Sequence, residues 1–136
     1  MIIYTDDLVE IKPIELSEFF NGWKNNPTPE KLFTILKNSS YKVLAIDDES
    51  DKVIGFINAI SDKALSAYIP LLEVIPEYQG KGIGSELVKR MLKKLEDYYM
   101  IDVVCDESVQ KFYEKFGLKK HSAMILRNYD KQSGKD

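Results

Sequence analysis

The sequence predicts one mixed domain, α/β of the α+β kind, in which an antiparallel meander precedes a parallel β-α-β unit. Three observations carry this. Apolar β-prone runs at residues 42–46, 53–60 and 67–74 follow one another with only short polar turns between. The last of them empties through the glycine-rich turn Gln79-Gly80-Lys81-Gly82-Ile83-Gly84-Ser85 into an amphipathic helical stretch. That helix is followed by a short apolar run, Met100–Val104, which must return parallel to the strand before it because a helix separates them.

In chain order, residues 2–4 are β-prone and predict a short first strand. Leu16, Phe19, Phe20 and Trp23 recur at helical spacing and predict a short helix, stopped by Gly22 and Asn25-Asn26-Pro27. Thr28 is a good N-cap, Pro29 suits the first helical position, and Glu30 complements the helix dipole. The helix that follows buries Leu32, Phe33, Ile35 and Leu36. The acidic turn at residues 47–51 joins the first two long strands as a hairpin. A third strand is expected over Ala67–Val74. Ile83, Leu87, Val88, Met91, Leu92 and Leu95 then share one helical face, with Lys89, Arg90, Lys93 and Lys94 on the solvated side. Ser108–Phe116 reads as a short helix stopped by Gly117, and a last strand over about Ala123–Tyr129 is expected to close the sheet. Residues 1–130 form the expected domain, and the polar segment 131–136 is expected to be a flexible tail.

Composition sets outer bounds. A chain of 136 residues with 44% hydrophobic and 30% charged residues is an ordinary globular domain large enough for a real core. A net charge of −3 argues against a nucleic-acid binder, whose surface is normally basic. The single cysteine, Cys105, excludes an intrachain disulfide. No apolar run reaches membrane-spanning length and no signal-peptide pattern opens the chain, so no membrane partner is expected and the expected location is cytoplasmic.

The glycine turn holds the chemistry. The first N–H groups of a helix lack intrahelical partners, and the helix dipole adds partial positive charge there. Glycines allow the backbone to approach a phosphate closely, so a phosphate-bearing ligand is expected. Two well-known loops fail. A P-loop requires Gly-Lys-Ser/Thr, and Lys81 is followed by Gly82. A strict dinucleotide fingerprint requires a sixth-position glycine, which is Ser85 or Leu87 here.

The remaining pattern, Gln79-x-x-Gly82-x-Gly84 with Pro76 upstream, resembles the acetyl-CoA loop of the GNAT N-acetyltransferases. A second match, Phe112-Tyr113-Glu114-Lys115-Phe116-Gly117-Leu118, resembles that family's Phe-Tyr helix end. The likeness is sharp over residues 67–118. It implies a GNAT-like mixed sheet whose strands splay on either side of the glycine-turn helix, with acetyl-CoA entering the gap. It implies cofactor contacts at Leu72, Val74, Gln79, Gly80, Lys81, Gly82, Ile83, Gly84, Ser85 and Tyr113, mostly through backbone N–H groups, and no metal.

Spacing alone assigns Tyr113 to a core stripe with Val109, Phe112 and Phe116. The resemblance instead aims its hydroxyl at the cofactor sulfur, as the proton donor to the leaving thiolate. Glu73 interrupts an apolar strand, so it lies either on an exposed face or in a site where burial raises its pKa. Many family members carry their glutamate base earlier on the strand, at the position of Tyr68. Glu73, Tyr68 or a water must therefore act as base. Asp106 stands where many relatives have an Asn that touches the cofactor arm. Cys105 reads as a packed hydrophobe and His121 as a surface residue. Trp23 is a candidate contact for the acceptor.

The expected function is direct acetyl transfer from acetyl-CoA to a primary amine, small-molecule or peptide, in a ternary complex. A non-catalytic acyl-CoA-binding sensor or regulatory module of the same fold is the alternative. The resemblance also admits a homodimer.

Overall fold

The computed structural model describes all of residues 1–136. Its sheet has six strands: β1 (Ile2–Thr5), β2 (Tyr41–Asp47), β3 (Lys52–Ser61), β4 (Ser66–Ile69), β5 (Leu72–Val74) and β6 (Met100–Val103). Three α-helices accompany it: α1 (Pro29–Asn38), α2 (Ile83–Lys94) and α3 (Gln110–Glu114). The strand order is β1-β2-β3-β4-β6, with β5 paired to β3. All pairs are antiparallel except β4 with β6, which run parallel from Ser66↔Met100 to Ile69↔Val103. The antiparallel meander and the parallel unit expected from the sequence are both present.

The helices form where local chemistry directs. Thr28 Oγ1 accepts the Lys31 N–H at 3.1 Å, satisfying one orphan donor at the start of α1. Leu32 and Leu36 of α1 and Leu87, Val88 and Met91 of α2 are buried, on either side of a sheet whose Ile54, Phe56 and Ile57 are fully inaccessible. Each large core side chain of this kind contributes about 1.5–3 kcal/mol when removed from water. No helix is long and apolar enough to cross a membrane.

Three expectations need correction. The helix expected over Leu16–Trp23 is a 3-10 turn, Pro13–Leu16, followed by irregular chain. Phe20 lies at φ 66°, in the left-handed region no α-helix contains. The aromatic spacing came instead from packing: Phe19 and Phe20 are buried, with rings 5.0 and 6.4 Å from Phe56.

The strand expected over Ala67–Val74 is two strands. Pro70 has no N–H to extend the ladder. Asn58, 1% exposed, fills the break: its side-chain oxygen accepts the Leu71 N–H at 3.1 Å, and its N–H donates to the Leu71 carbonyl at 3.2 Å.

The final strand over Ala123–Tyr129 is absent. Residues 118–128 form no strand and leave β6 as the sheet's edge. In the segment 131–136, Gln132 Oε1 accepts the Asn25 N–H at 2.9 Å, and the Lys135 carbonyl accepts the Lys31 ammonium.

Candidate active site

The break between β4 and β5 builds the site. β4 stays paired with β6 as far as Ile69↔Val103, whereas β5 pairs only with β3. Beyond Ile69 the two halves of the sheet separate. The opening is a cleft of ≈ 560 Å³ bounded by Ile69–Leu72 and Val74 on one side and Val103–Cys105 on the other. Gln79, Gly84, Val109, Phe112 and Tyr113 complete its lining. The two motifs, some thirty residues apart in sequence, therefore share one cleft. They touch at Gly84, where an added Cβ would lie 3.8 Å from the Phe112 ring.

The glycine turn has the geometry of an anion cradle. Gly80 and Gly82 have φ of 77° and 83°, and an added Cβ at either meets nothing within 4 Å. Their requirement is conformational, and the space in front of them is open. Gly82 is the N-cap of α2, and no side chain caps the helix. The first-turn N–H groups at Ile83, Gly84 and Ser85 thus face outward beside the positive end of the dipole. Gln79 braces the turn, its Nε2 donating to the Val74 carbonyl at 2.9 Å. Lys81 lies 5.0 Å from the centroid of the Tyr78 ring, so its charge rests on that face. These features fit a phosphate-bearing ligand.

Tyr113 is half-buried. Burial, with a smaller contribution from the neighbouring Cys105, pushes its pKa up to about 12. At neutral pH it is a neutral phenol, the form that can donate a proton. Cys105, also in the cleft, has its thiol pKa raised by burial and by the Asp106 charge. Both effects disfavour its thiolate form.

A second, smaller cleft of ≈ 280 Å³ adjoins the first, since Leu71, Leu72, Val74 and Gln79 line both. It holds Glu73, Trp23 and Asn21. Glu73 Oε1 accepts the Phe20 N–H at 2.6 Å. Desolvation raises the Glu73 pKa above the ordinary carboxylate range, against the lowering effect of the Phe20 and Asn21 N–H groups. The same bond holds Phe20 in its left-handed conformation. Trp23, 40% exposed, packs at 4.7 Å on the Phe20 ring and presents its remaining surface to this cleft.

Other candidates fall elsewhere. Tyr68 is paired with Asp102 across β4 and β6, is 37% exposed, and lines neither cleft. Asp106 also lines neither. His121 is exposed, and its Nδ1 accepts the Ser122 N–H at 2.8 Å. No group of three metal-ligating side chains is present. Sequence reasoning missed Asn58, whose side chain holds the strand break that opens the cleft. Its signal was available: one amide inside the apolar run Val53–Ile60.

The model of the GNAT acetyltransferase family matches residues 8–118, which include both motifs and both clefts. The chain belongs to the GNAT acetyltransferase family. This GNAT acetyltransferase superimposes on a crystal structure from Deinococcus radiodurans R1 with a TM-score of 0.96 and 47% identity, covering 99% of this chain and 94% of that one. It is 30% identical to an uncharacterized N-acetyltransferase, ycf52, of Pyropia yezoensis, over 85% of this chain and 76% of the relative. It is 33% identical to the histone acetyltransferase TAP1 of Glycine max, over 72% of this chain but only 47% of that protein's length. These relatives make the GNAT chain an acyltransferase.

Proposed function

We propose that this GNAT enzyme uses acetyl-CoA and transfers its acetyl group directly to a primary amine while both are bound. One observation carries the reading: the glycine turn at the α2 N-terminus and Tyr113 line one cleft, and the Glu73–Trp23 cleft opens beside it. A cradle for phosphate, a proton donor and an acceptor pocket are thus contiguous.

Acetyl-CoA would supply the activated acyl group as a thioester. The backbone N–H groups from Gly82 to Ser85 would bind its pyrophosphate, and the apolar walls at Leu72, Val74 and Val103 would exclude water from its arm. Tyr113, kept neutral by burial, donates a proton to the departing thiolate. Glu73 takes the proton from the attacking amine. Its raised pKa brings it closer to neutrality, where a general base works best. Holding amine and thioester in adjoining clefts supplies much of the rate by proximity.

A second reading of Glu73 rests on its 2.6 Å bond to the Phe20 N–H. The carboxylate then serves to hold the Phe20–Trp23 turn that walls the acceptor cleft. The two roles separate by substitution, as described below.

An amine-library screen, read by release of free thiol from acetyl-CoA, tests the function. Amine-dependent release supports transfer. Tight acetyl-CoA binding with no release for any amine favours a sensor or regulatory module instead.

A further inference from the structure

One ammonium joins the two walls of the candidate active site. Lys52 opens β3, and its Nζ lies 2.6 Å from Glu18 Oε2 and 2.8 Å from Glu77 Oε1. These carboxylates belong to different parts of the site. Glu77 stands in the 3-10 turn Pro76–Tyr78, which leads directly into Gln79 and Gly80 of the glycine turn. Glu18 stands in the irregular chain of the acceptor wall. Its carbonyl accepts the Asn21 side-chain N–H at 2.7 Å, and Asn21 lines the acceptor cleft together with Trp23.

The bridge has a firm base on both sides. Lys52 is the cross-strand partner of Asp47 at the end of the β2–β3 hairpin. The Asp47 carboxylate accepts the hydroxyl of Tyr78, the residue after Glu77. The hairpin end thus holds two successive residues of the turn that precedes the cradle. On the other wall, the Phe20 N–H bonds to Glu73 and the Trp23 ring packs on Phe20, so Glu18 and Trp23 lie in one short, internally bonded segment. The two carboxylates hold the Lys52 pKa above the ordinary lysine value, so the bridge stays charged through the neutral range. All three side chains are partly exposed, and ion pairs in such surroundings add little to global stability.

We propose that Lys52 is a positioning residue for acetyl transfer: it fixes the acceptor wall to the cofactor turn, so that filling the glycine cradle sets the position of Trp23. Glu18 and Glu77 share one cation. Without it they face each other as like charges and push the two walls apart, while the buried core keeps the domain folded. This coupling rests on the acetyl-CoA reading above and extends it to a side chain that lines neither cleft.

Coenzyme A is the probe, and Trp23, the single tryptophan of the chain, is the reporter. Calorimetry measures binding to the full chain, and indole emission measures the response of the acceptor wall. In the wild type the emission should change on adding coenzyme A and saturate with the calorimetric Kd. Lys52→Met should keep the wild-type far-UV spectrum and still bind, but show no emission change at saturation. Glu18→Gln removes only the acceptor-wall arm of the bridge and should lose the emission change as well; it keeps the test decisive if Lys52→Met loses its fold. Lys52→Arg retains a cation with several donors for the two carboxylates and should restore the response. No heat from the wild type would overturn the acetyl-CoA reading, and this coupling with it. Heat without an emission change would overturn the coupling alone. So would an emission change that survives in Lys52→Met or Glu18→Gln, which would show coenzyme A acting on the indole without the bridge, or a loss that Lys52→Arg does not repair.

Discussion

Two glycines two residues apart should respond in opposite ways to the same substitution. Gly82 sits at φ 83°, where an alanine costs about 1–2 kcal/mol. Gly84 lies inside α2 with ordinary helical geometry, and its added Cβ would meet Phe112 and Val74 at 3.8 and 3.9 Å, normal contact distances. Alanine there should gain about 0.5–1 kcal/mol, because it fits this first-turn geometry and restricts the unfolded chain. At about 4 °C per kcal/mol for a domain of this size, Gly82→Ala should lower the melting temperature by about 4–8 °C, and Gly84→Ala should raise it by about 2–4 °C. Acetyl-CoA binding should weaken for Gly82→Ala. Loss of one charge-assisted hydrogen bond of about 1.5–3 kcal/mol corresponds to roughly 10- to 100-fold in affinity. Thermal melts with and without acetyl-CoA, together with calorimetric titration, measure both effects. Equal melting temperatures for the two variants would refute the conformational argument. An unchanged affinity for Gly82→Ala would refute the cradle.

Tyr113→Phe should keep acetyl-CoA affinity and lower turnover about 10²- to 10⁴-fold where chemistry limits the rate; an unchanged turnover number returns Tyr113 to a packing role. Glu73→Gln separates the two readings of that residue: the amide oxygen still accepts the Phe20 N–H, so loss of activity with the acidic limb of the pH–rate profile flattened marks a base, whereas near-normal activity that collapses only in Glu73→Ala marks a positioning residue. The fold raises the Glu73 pKa, so this group's contribution to stability is greatest below the ordinary carboxylate pKa and is lost as pH rises through the raised one. Glu73→Gln should accordingly not lower the melting temperature at neutral pH. Trp23→Ala should raise KM for the amine and leave that for acetyl-CoA nearly unchanged; equal changes in both would assign the indole to the core through its contact with Phe20.

Where local chemistry decides structure, the sequence was legible. Thr28-Pro29-Glu30 announced α1, the acidic turn announced the β2–β3 hairpin, and the three glycines announced the α2 start. The two motifs led to one cleft. What escaped was decided by distant partners. Phe20 adopts a left-handed conformation because a carboxylate 53 residues away accepts its N–H. Helical spacing of aromatics carries no trace of that bond. The strand break after Ile69 depends on Pro70, visible in sequence, and on Asn58, visible only as an anomaly until the Leu71 bonds are seen. A strand was expected over about Ala123–Tyr129, and the chain supplies no neighbour for it on its own sheet. Tyr68 and Glu73 differ by which side of the break they occupy, and a one-residue slip in strand register reverses every side chain.

The central claim is that one cleft joins the glycine cradle to Tyr113 around acetyl-CoA. A crystal structure with coenzyme A bound tests it directly. Pyrophosphate oxygens are expected at about 2.7–3.1 Å from backbone N–H groups between Gly82 and Ser85, with the arm running between β5 and β6 and the sulfur within about 4 Å of the Tyr113 hydroxyl. Pyrophosphate bound away from the α2 N-terminus, or a sulfur remote from Tyr113, would contradict it.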